Sequence, residues 1–360
     1  MTRNTDIEET QTPKRKKQLI PERYPQGDLF ICDVADAVLK DIMPQMEHPF
    51  YSLSKKPETS IRRYENNGNW LEVIPSVKGL ATIYDKDILI YAISQIMAKI
   101  NRGEEVNKED NKRVRINTRE LLMFTNRGTA GKDYKALQEG LERIRGTTIT
   151  TNIKTGDEEQ TDTFGLIDAH SIRRKNGLDG RLLWCEIKLS DWVFNAIEAN
   201  EVLTLNRDYF RLRKPMERRV YEIARKHCGQ QKQWSISLEL LHKKSGSQGV
   251  LNKFRFIISG IAKHNHLPDY TIEFCEDTDK VIFNNREKWW NDTDENQSAL
   301  PALPSSAYEE AKKAAPQYDV YYLEAEFRNW WATTGKPVPD NLKAAFIGFC
   351  KKRCEANPLA

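Results

Sequence analysis

The chain is 360 residues long, 39% hydrophobic and 30% charged, with a formal net charge of +4. That length suits two or three domains, each with its own core, and the composition is globular rather than disordered or fibrous. No apolar run approaches the ~18 residues that cross a bilayer, and the polar N-terminus has no signal-peptide core, so a cytoplasmic, membrane-free protein is expected.

Residues 1–18 read as a disordered basic tail ending in Lys14-Arg15-Lys16-Lys17, either a solvated segment or an arm that tethers nucleic acid. A first domain is expected over 19–205. It opens on a hairpin extension in which strands at 61–64 and 70–74 flank Asn66-Asn67-Gly68. Apolar spacing at Ile88, Tyr91, Ala92, Gln95, Ile96 and Lys99 predicts a helix over 87–100.

A cassette follows: a strand at 113–117, then a helix at 118–124 opened by the hydroxyl of Thr118 as N-cap. A turn at 126–131 redirects the chain into a second helix, with Tyr134, Leu137, Leu141 and Ile144 on one face. A hairpin is expected next, with strands at 147–153 and 161–167 about a turn at 154–157. A third strand at 182–189 follows the basic turn Arg173-Arg174-Lys175-Asn176-Gly177, and a short helix is expected at 191–199.

The order then repeats over a second domain at 206–290, offset by roughly 120 residues, which marks tandem units. Its opening helix, 214–227, carries Pro215 in the first turn. Trp234-Ser235-Ile236 is the strand, Ser237 caps a helix through His242, and 245–249 is the turn. Phe254, Ile257, Ile258 and Ile261 form the buried stripe of the next helix, and a hairpin runs from Tyr270 to Phe283. The first helices align at a shift of 119 and the second at 120, which implies one turn longer by a residue. Residues 291–317, with Pro301, Pro304, Ser305 and Ser306, have linker composition, and 318–360 read as a small helical module. The expected fold class is α+β, two tandem winged-helix domains with a disordered tail and this module.

Charge distribution says more than the total. Between Phe210 and His266 there are thirteen Lys or Arg against three acids, an excess placed where a DNA backbone would lie. On the second copy's second helix the stripe leaves Asn252, Lys253, Arg255 and Ser259 outward, with Ser247 and Gln248 at its N-terminal turn. Asn and Gln pair bidentately with adenine and Arg with guanine in the major groove, so this face carries a usable code. Lys243, Lys244 and Ser245 are expected to hold phosphates beside it. On the first copy the expected contacts are Arg127, Lys132 and Lys135, although Asp133, Glu139 and Glu142 interrupt the outward cations Lys132, Lys135 and Arg143. Arg173, Arg174 and Lys175 are placed to reach an adjacent backbone.

Gly128-Thr129-Ala130-Gly131-Lys132 departs from a phosphate loop, since Asn126 stands where its first glycine belongs and Asp133 follows the lysine. His264-Asn265-His266 has a polar middle residue at a helix end, a poor match to a metal-binding pair of a nicking enzyme. The six cysteines, Cys32, Cys185, Cys228, Cys275, Cys350 and Cys354, lack disulfide-framework or zinc-ribbon spacing and read as free thiols. No catalytic residue, metal or cofactor is therefore expected.

Several motifs together resemble the replication initiator protein A family of bacterial plasmids. They are Gln26-Gly27-Asp28-Leu29-Phe30, Met46-Glu47-His48-Pro49, the stretches 62–68 and 78–87, Arg207-Asp208-Tyr209-Phe210, the stretch 217–222 and Leu267-Pro268-Asp269-Tyr270, spanning roughly 19–290. The resemblance implies binding of double-stranded DNA at directly repeated origin sequences, opening of an adjacent A·T-rich segment, and recruitment of host replication proteins, initiator and helicase among them. It implies no catalysis. Related initiators bind repeats as monomers and repress their own promoter as homodimers. Gln26, Asp28, Leu29 and Phe30 also resemble the pentapeptide that docks bacterial proteins on the sliding clamp, the other reading being that Leu29 and Phe30 pack onto the first domain. A dimeric winged-helix transcriptional repressor and a metal-dependent nicking initiator stand as alternatives.

Overall fold

The computed structural model describes residues 19–24, 38–66, 68–101, 112–153, 163–174, 182–229, 231–286, 300–301, 303–315 and 338–356, with parts of 320–331. The expected tail at 1–18 and the segment Gln26 to Phe30 lie outside the described residues.

In chain order the first unit comprises β1 (Lys40–Ile42), α1 (Met43–Glu47), β2 (Arg62–Asn66), β3 (Asn69–Ile74), α2 (Lys86–Asn101), β4 (Arg113–Asn117), α3 (Thr118–Phe124) and α4 (Gly131–Gly146). It continues through β5 (Thr148–Thr151), β6 (Phe164–Gly165), β7 (Ile167–Arg174), β8 (Leu182–Leu189), α5 (Asp191–Glu198) and β9 (Val202–Thr204). The second unit has α6 (Pro215–His227), β10 (Gln233–Ser237), α7 (Leu238–Ser245), α8 (Leu251–His264), β11 (Tyr270–Cys275) and β12 (Lys280–Asn285). Helices α9 (Ser305–Ala314) and α10 (Leu342–Ala356) follow. The fold class is mixed helix and sheet, and the order strand, helix, helix, hairpin occurs twice, with β5 and β6 inserted before the hairpin of the first copy.

Sheet pairing makes the duplication explicit. In the first copy β8 lies between β4 and β7, and in the second β12 lies between β10 and β11, all antiparallel. The hairpin expected at 147–167 is therefore not the counterpart of β11–β12; β7–β8 is. Strand β5 pairs instead with β3, Leu71 opposite Thr151, and β6 pairs with β5, which gives a four-stranded sheet with the N-terminal hairpin. Arg173 and Arg174 thus end β7, the strand that corresponds to β11, and the rest of the basic turn lies outside the described residues.

Cap chemistry sets the true alignment. The first N-cap is Asn117, not Thr118: its carboxamide oxygen accepts from the backbone N–H of Arg119 and Glu120 at 3.1 and 3.4 Å. Ser237 caps α7 by accepting from the N–H of Leu240. Asn117 thus pairs with Ser237, Thr118 with Leu238 and Gly131 with Leu251, so both helices share the offset of 120 and the turns do not differ in length. The two Glu-Leu-Leu runs are out of register: buried Leu121 matches buried Leu241, while Leu240 is exposed.

Helix α2 is buried nearly all round rather than on one stripe, with Lys99 exposed and Gln95 half-buried. Tyr91 and Ile93 enter the first core, whereas Ile90 joins Leu39, Met46, Leu203 and Leu205 in the second, so the two cores meet across this helix. Its first turn carries charge inward. Lys86 Nζ sits 2.6 Å from Asp41 and 3.0 Å from Glu222, and Asp87 accepts from Arg127 and Arg218, both at 2.7 Å. Arg219 reaches the carbonyls of Met46, Glu47 and Lys244 as well as Glu222.

The C-terminal module begins earlier than composition suggests. Helix α9 lies inside the expected linker, and Leu300, Leu303, Ala307 and Ala311 share a third core with Phe346 and Cys350. Pro304, read as a linker residue, is the N-cap of α9. Among the described residues no helix is long and apolar enough to cross a membrane.

Asp87→Ala would leave Arg218 buried opposite no carboxylate, so it is expected to lower stability by about 3–5 kcal/mol in urea denaturation. A loss below about 1 kcal/mol would show that the pair behaves like a surface one.

Candidate nucleic-acid interface

Helices α7 and α8 are joined by a turn that only glycine suits. Gly246 caps α7 at φ 72°, and a Cβ there would stand 2.5 Å from the Pro49 side chain. From this turn α8 buries Phe254, Ile258 and Ile261. Ile257, expected in that stripe, is instead 37% exposed, and the helix turns its opposite side, bearing Asn252, Lys253, Phe256 and Lys263, to solvent.

The expected contacts divide by placement. Asn252, Lys253 and Gln248 are exposed, and Ser247 and Ser259 half-buried. Gln248 donates to the Tyr64 hydroxyl at 3.2 Å, which links the turn to β2 of the first unit. Lys243 is exposed and paired with Glu239 at 2.8 Å. Three residues depart from expectation. Ser245 is 0% exposed: its hydroxyl donates to the His242 carbonyl at 2.7 Å and accepts from the Ser247 N–H, so it ends the helix and does not meet phosphate. Lys244 points inward to Glu47 at 3.1 Å. Arg255 grips both carboxylate oxygens of Asp279, at 3.1 and 2.6 Å, and donates to Asn252, so it braces α8 against the β11–β12 turn. Asp279 itself holds a left-handed backbone, φ 50°.

The charge count is also redistributed. Arg218 and Arg219 are buried, and the Arg225 guanidinium donates to the Thr204 carbonyl, so three of the thirteen cations belong to the interior contacts. Lys253 and Lys263 remain exposed and form no ion pair among the described residues, on a helix whose sequence holds no acid.

On the first copy, Lys132 and Lys135 are exposed on α4, the latter 3.9 Å from Glu139. Arg127 is not a surface contact: its guanidinium is committed to Asp87 and to the Tyr84 carbonyl. Arg143, expected outward, makes a two-pronged contact with Asp85 at 2.8 Å on each prong. Arg173 is exposed near the end of β7, 5.7 Å from the Trp184 ring, and Arg115 lies over the same ring at 4.1 Å. The Arg174 side chain and Lys175 lie outside the described residues. His266, half of the weak metal candidate, sits 3.1 Å from Glu217. No group of three or more metal-ligating side chains occurs among the described residues.

Sequence reasoning missed Phe256, the most exposed large apolar residue of the helix at 81%. The signal was present, because the stripe of Phe254, Ile258 and Ile261 leaves position 256 on the far side.

A mixed helix-and-sheet chain in which the same order of elements occurs twice, the second copy presenting a basic helix, is of the replication-initiator class on comparison with known proteins. The replication initiator protein A profile matches residues 40–272, and the chain belongs to that family. It is similar to a putative replication protein of Wigglesworthia glossinidia brevipalpis, 34% identical over 282 residues that cover 78% of this chain and 99% of that one. Among solved structures it is similar to domains 2 and 3 of RctB, with a TM-score of 0.47 and 12% identity over 67% of this chain and 95% of that one. It is also similar to the Pi initiator protein crystallised with iteron DNA, with a TM-score of 0.37 and 14% identity over 64% of this chain and 100% of the other.

Two outcomes follow from the site's interior contacts. Ser245→Ala is expected to cost about 1 kcal/mol in stability while leaving the exposed face of α8 unchanged. Thermal denaturation of the variant checks this, an unchanged midpoint being the contrary result. Burial pushes the His48 and His227 imidazoles down to about 4, with Lys244, Lys226 and Arg219 adding to the effect and Glu47 opposing it. The unfolded chain protonates these groups near pH 6.5 and the folded one only near 4, so their stabilisation is present above that window and lost as pH falls through it. Asp41, pushed up to about 6 by burial and held back by Lys86, works in the opposite sense between pH 6 and 3.8. Two imidazoles outweigh one carboxyl. The melting midpoint should therefore fall by about 5 °C between pH 7 and 4.5, and a midpoint flat or rising over that range would contradict the assignment.

Proposed function

We propose that this protein is a plasmid replication initiator built on two tandem winged-helix domains. It binds double-stranded DNA at directly repeated origin sequences, promotes opening of adjacent A·T-rich DNA and recruits host replication proteins. The observation that carries the reading is α8: an exposed, acid-free helix following a short turn, flanked by the β11–β12 hairpin and carrying Asn252, Lys253 and Lys263 outward. Family membership supports it. A helix of this kind fits the major groove, and a hairpin beside it meets the neighbouring backbone.

In this reading Asn252, Gln248 and Ser259 supply hydrogen-bonding groups for base edges, and Lys253, Lys263 and Lys243 supply phosphate contacts. Arg255 acts chiefly by holding the hairpin turn in place. The first copy adds backbone contacts through Lys132, Lys135 and Arg173. No catalytic step is assigned, and repression of the initiator's own promoter by a homodimer is a further part of the proposal. Docking to the sliding clamp through Leu29 and Phe30 is tested by pull-down with both changed to alanine.

The test is binding of the full chain to a duplex site selected from a random library, at several salt concentrations. Lys253→Ala with Lys263→Ala should weaken binding to all sequences and reduce the salt slope by about two. Permanganate reactivity of a supercoiled origin plasmid should appear only with protein bound. Specific binding without any reactivity would favour the repressor, and metal-dependent nicking would favour a cutting initiator.

A further inference from the structure

Phe256 is 81% exposed and Val250, at the start of the same helix, 65%. Both stand on the segment with the strongest claim to contact DNA. At 3.6 residues per turn Phe256 lies about 200° around the helix from Phe254, so it occupies the middle of the solvent face with Asn252, Ser259 and Lys263 about it. One turn further on, Gly260 has nothing within 4 Å of the position a Cβ would take. The ring therefore stands beside an open notch on the helix. To one side an open groove of about 760 Å³ runs between α8 and the first unit, bordered by Leu53, Met216 and Ile257.

An aromatic ring left in water at the centre of a functional face calls for an apolar partner, since burying it recovers roughly 25 cal/mol per Å². The surroundings select that partner. The helix has no acidic residue, and beside Phe256 and Ile257 it exposes Asn252, Lys253, Lys263 and His264, a match to a polyanion that also offers hydrogen-bonding edges. Of the groups lining a DNA major groove, the thymine C5-methyl is the apolar one.

We infer that Phe256 is a specificity-determining residue that reads thymine methyl groups in the major groove, the notch at Gly260 admitting the methyl beside the ring. This rests on the assignment of α8 as the DNA-contacting helix. It adds a dependence on the methyl group itself, which the amides, reading the adenine of an A·T pair, do not sense.

The test replaces thymine by uracil, which removes the methyl and keeps every hydrogen-bonding group. The full chain selects a site from a random duplex library, and that site is made again with each thymine replaced in turn. One or two replacements should weaken wild-type binding about 10-fold, the scale of one apolar group in a fitted contact. Phe256→Ala should lose about as much on the thymine site and nothing further on the uracil site, while Phe256→Leu keeps most of the methyl dependence. Equal melting midpoints for wild type and variant exclude misfolding, as suits a side chain so exposed. The inference is overturned if Phe256→Ala binds as wild type, which would leave the ring for a protein partner at the groove. It is also overturned if the variant keeps full sensitivity to uracil. Failure of the wild type to enrich any sequence would overturn the inference together with the assignment of α8, whereas enrichment with no uracil effect overturns the inference alone.

Discussion

Two adjacent side chains at the start of α2 point in different directions and hold different parts of the molecule: Lys86 pairs with Asp41 and Glu222, and Asp87 with Arg127 and Arg218. Desolvating Lys86, Asp87, Asp41, Glu222 and Arg218 is costly, and the cost is offset only when every partner is in place. Apolar surfaces alone tolerate small slides, but charges at 2.6–3.0 Å do not. The contacts run from β1 and the α3 turn of the first unit to α6 of the second. The register between the units, and with it the placement of α4 and α8, follows from these pairs and from Arg219, whose guanidinium reaches α1 and the end of α7.

The same network explains why a charge count misleads. Arg218 and Arg219 belong to the cation-rich stretch that pointed to DNA, and both are interior. Residue type announces charge but not direction; a partner on another helix decides direction. Arg127 and Arg143 follow the same logic, drawn inward by Asp87 and Asp85. By contrast Asn252 and Lys253 were legible, because the buried stripe of α8 is local in sequence and leaves their side of the helix to solvent.

Elements with helical or hairpin periodicity were mostly found where the sequence placed them: α2, α4, α6, α8 and the hairpins β2–β3 and β11–β12. Pairing between strands was less legible. The threonine-rich strand β5 satisfies a hairpin pattern as well as β7 does, and its partner β3 lies far back in the chain, Val73 opposite Ile149. The shift between Ile257 and Phe256 has a similar origin. Three consecutive apolar residues, Phe256 to Ile258, fit more than one stripe, and only packing against the rest of the second core selects Ile258.

The first unit is closed by its own two ends. Strand β1 pairs with β9, Lys40 opposite Thr204, and the Lys40 ammonium donates to the Thr204 hydroxyl at 2.7 Å. A ribosome adding about 5–20 residues per second delivers every other strand of this unit before the one that shuts it. Until then Ile42 and the α2 face beneath it lack their cover. The nascent protein thus passes through a stage in which a nearly complete unit is open along one edge, and α6 of the second unit follows the sealing strand after a 3-10 turn at Arg207–Arg211. The contacts that Arg218 and Arg219 make with the first unit can therefore form only after the strand that seals it has been made.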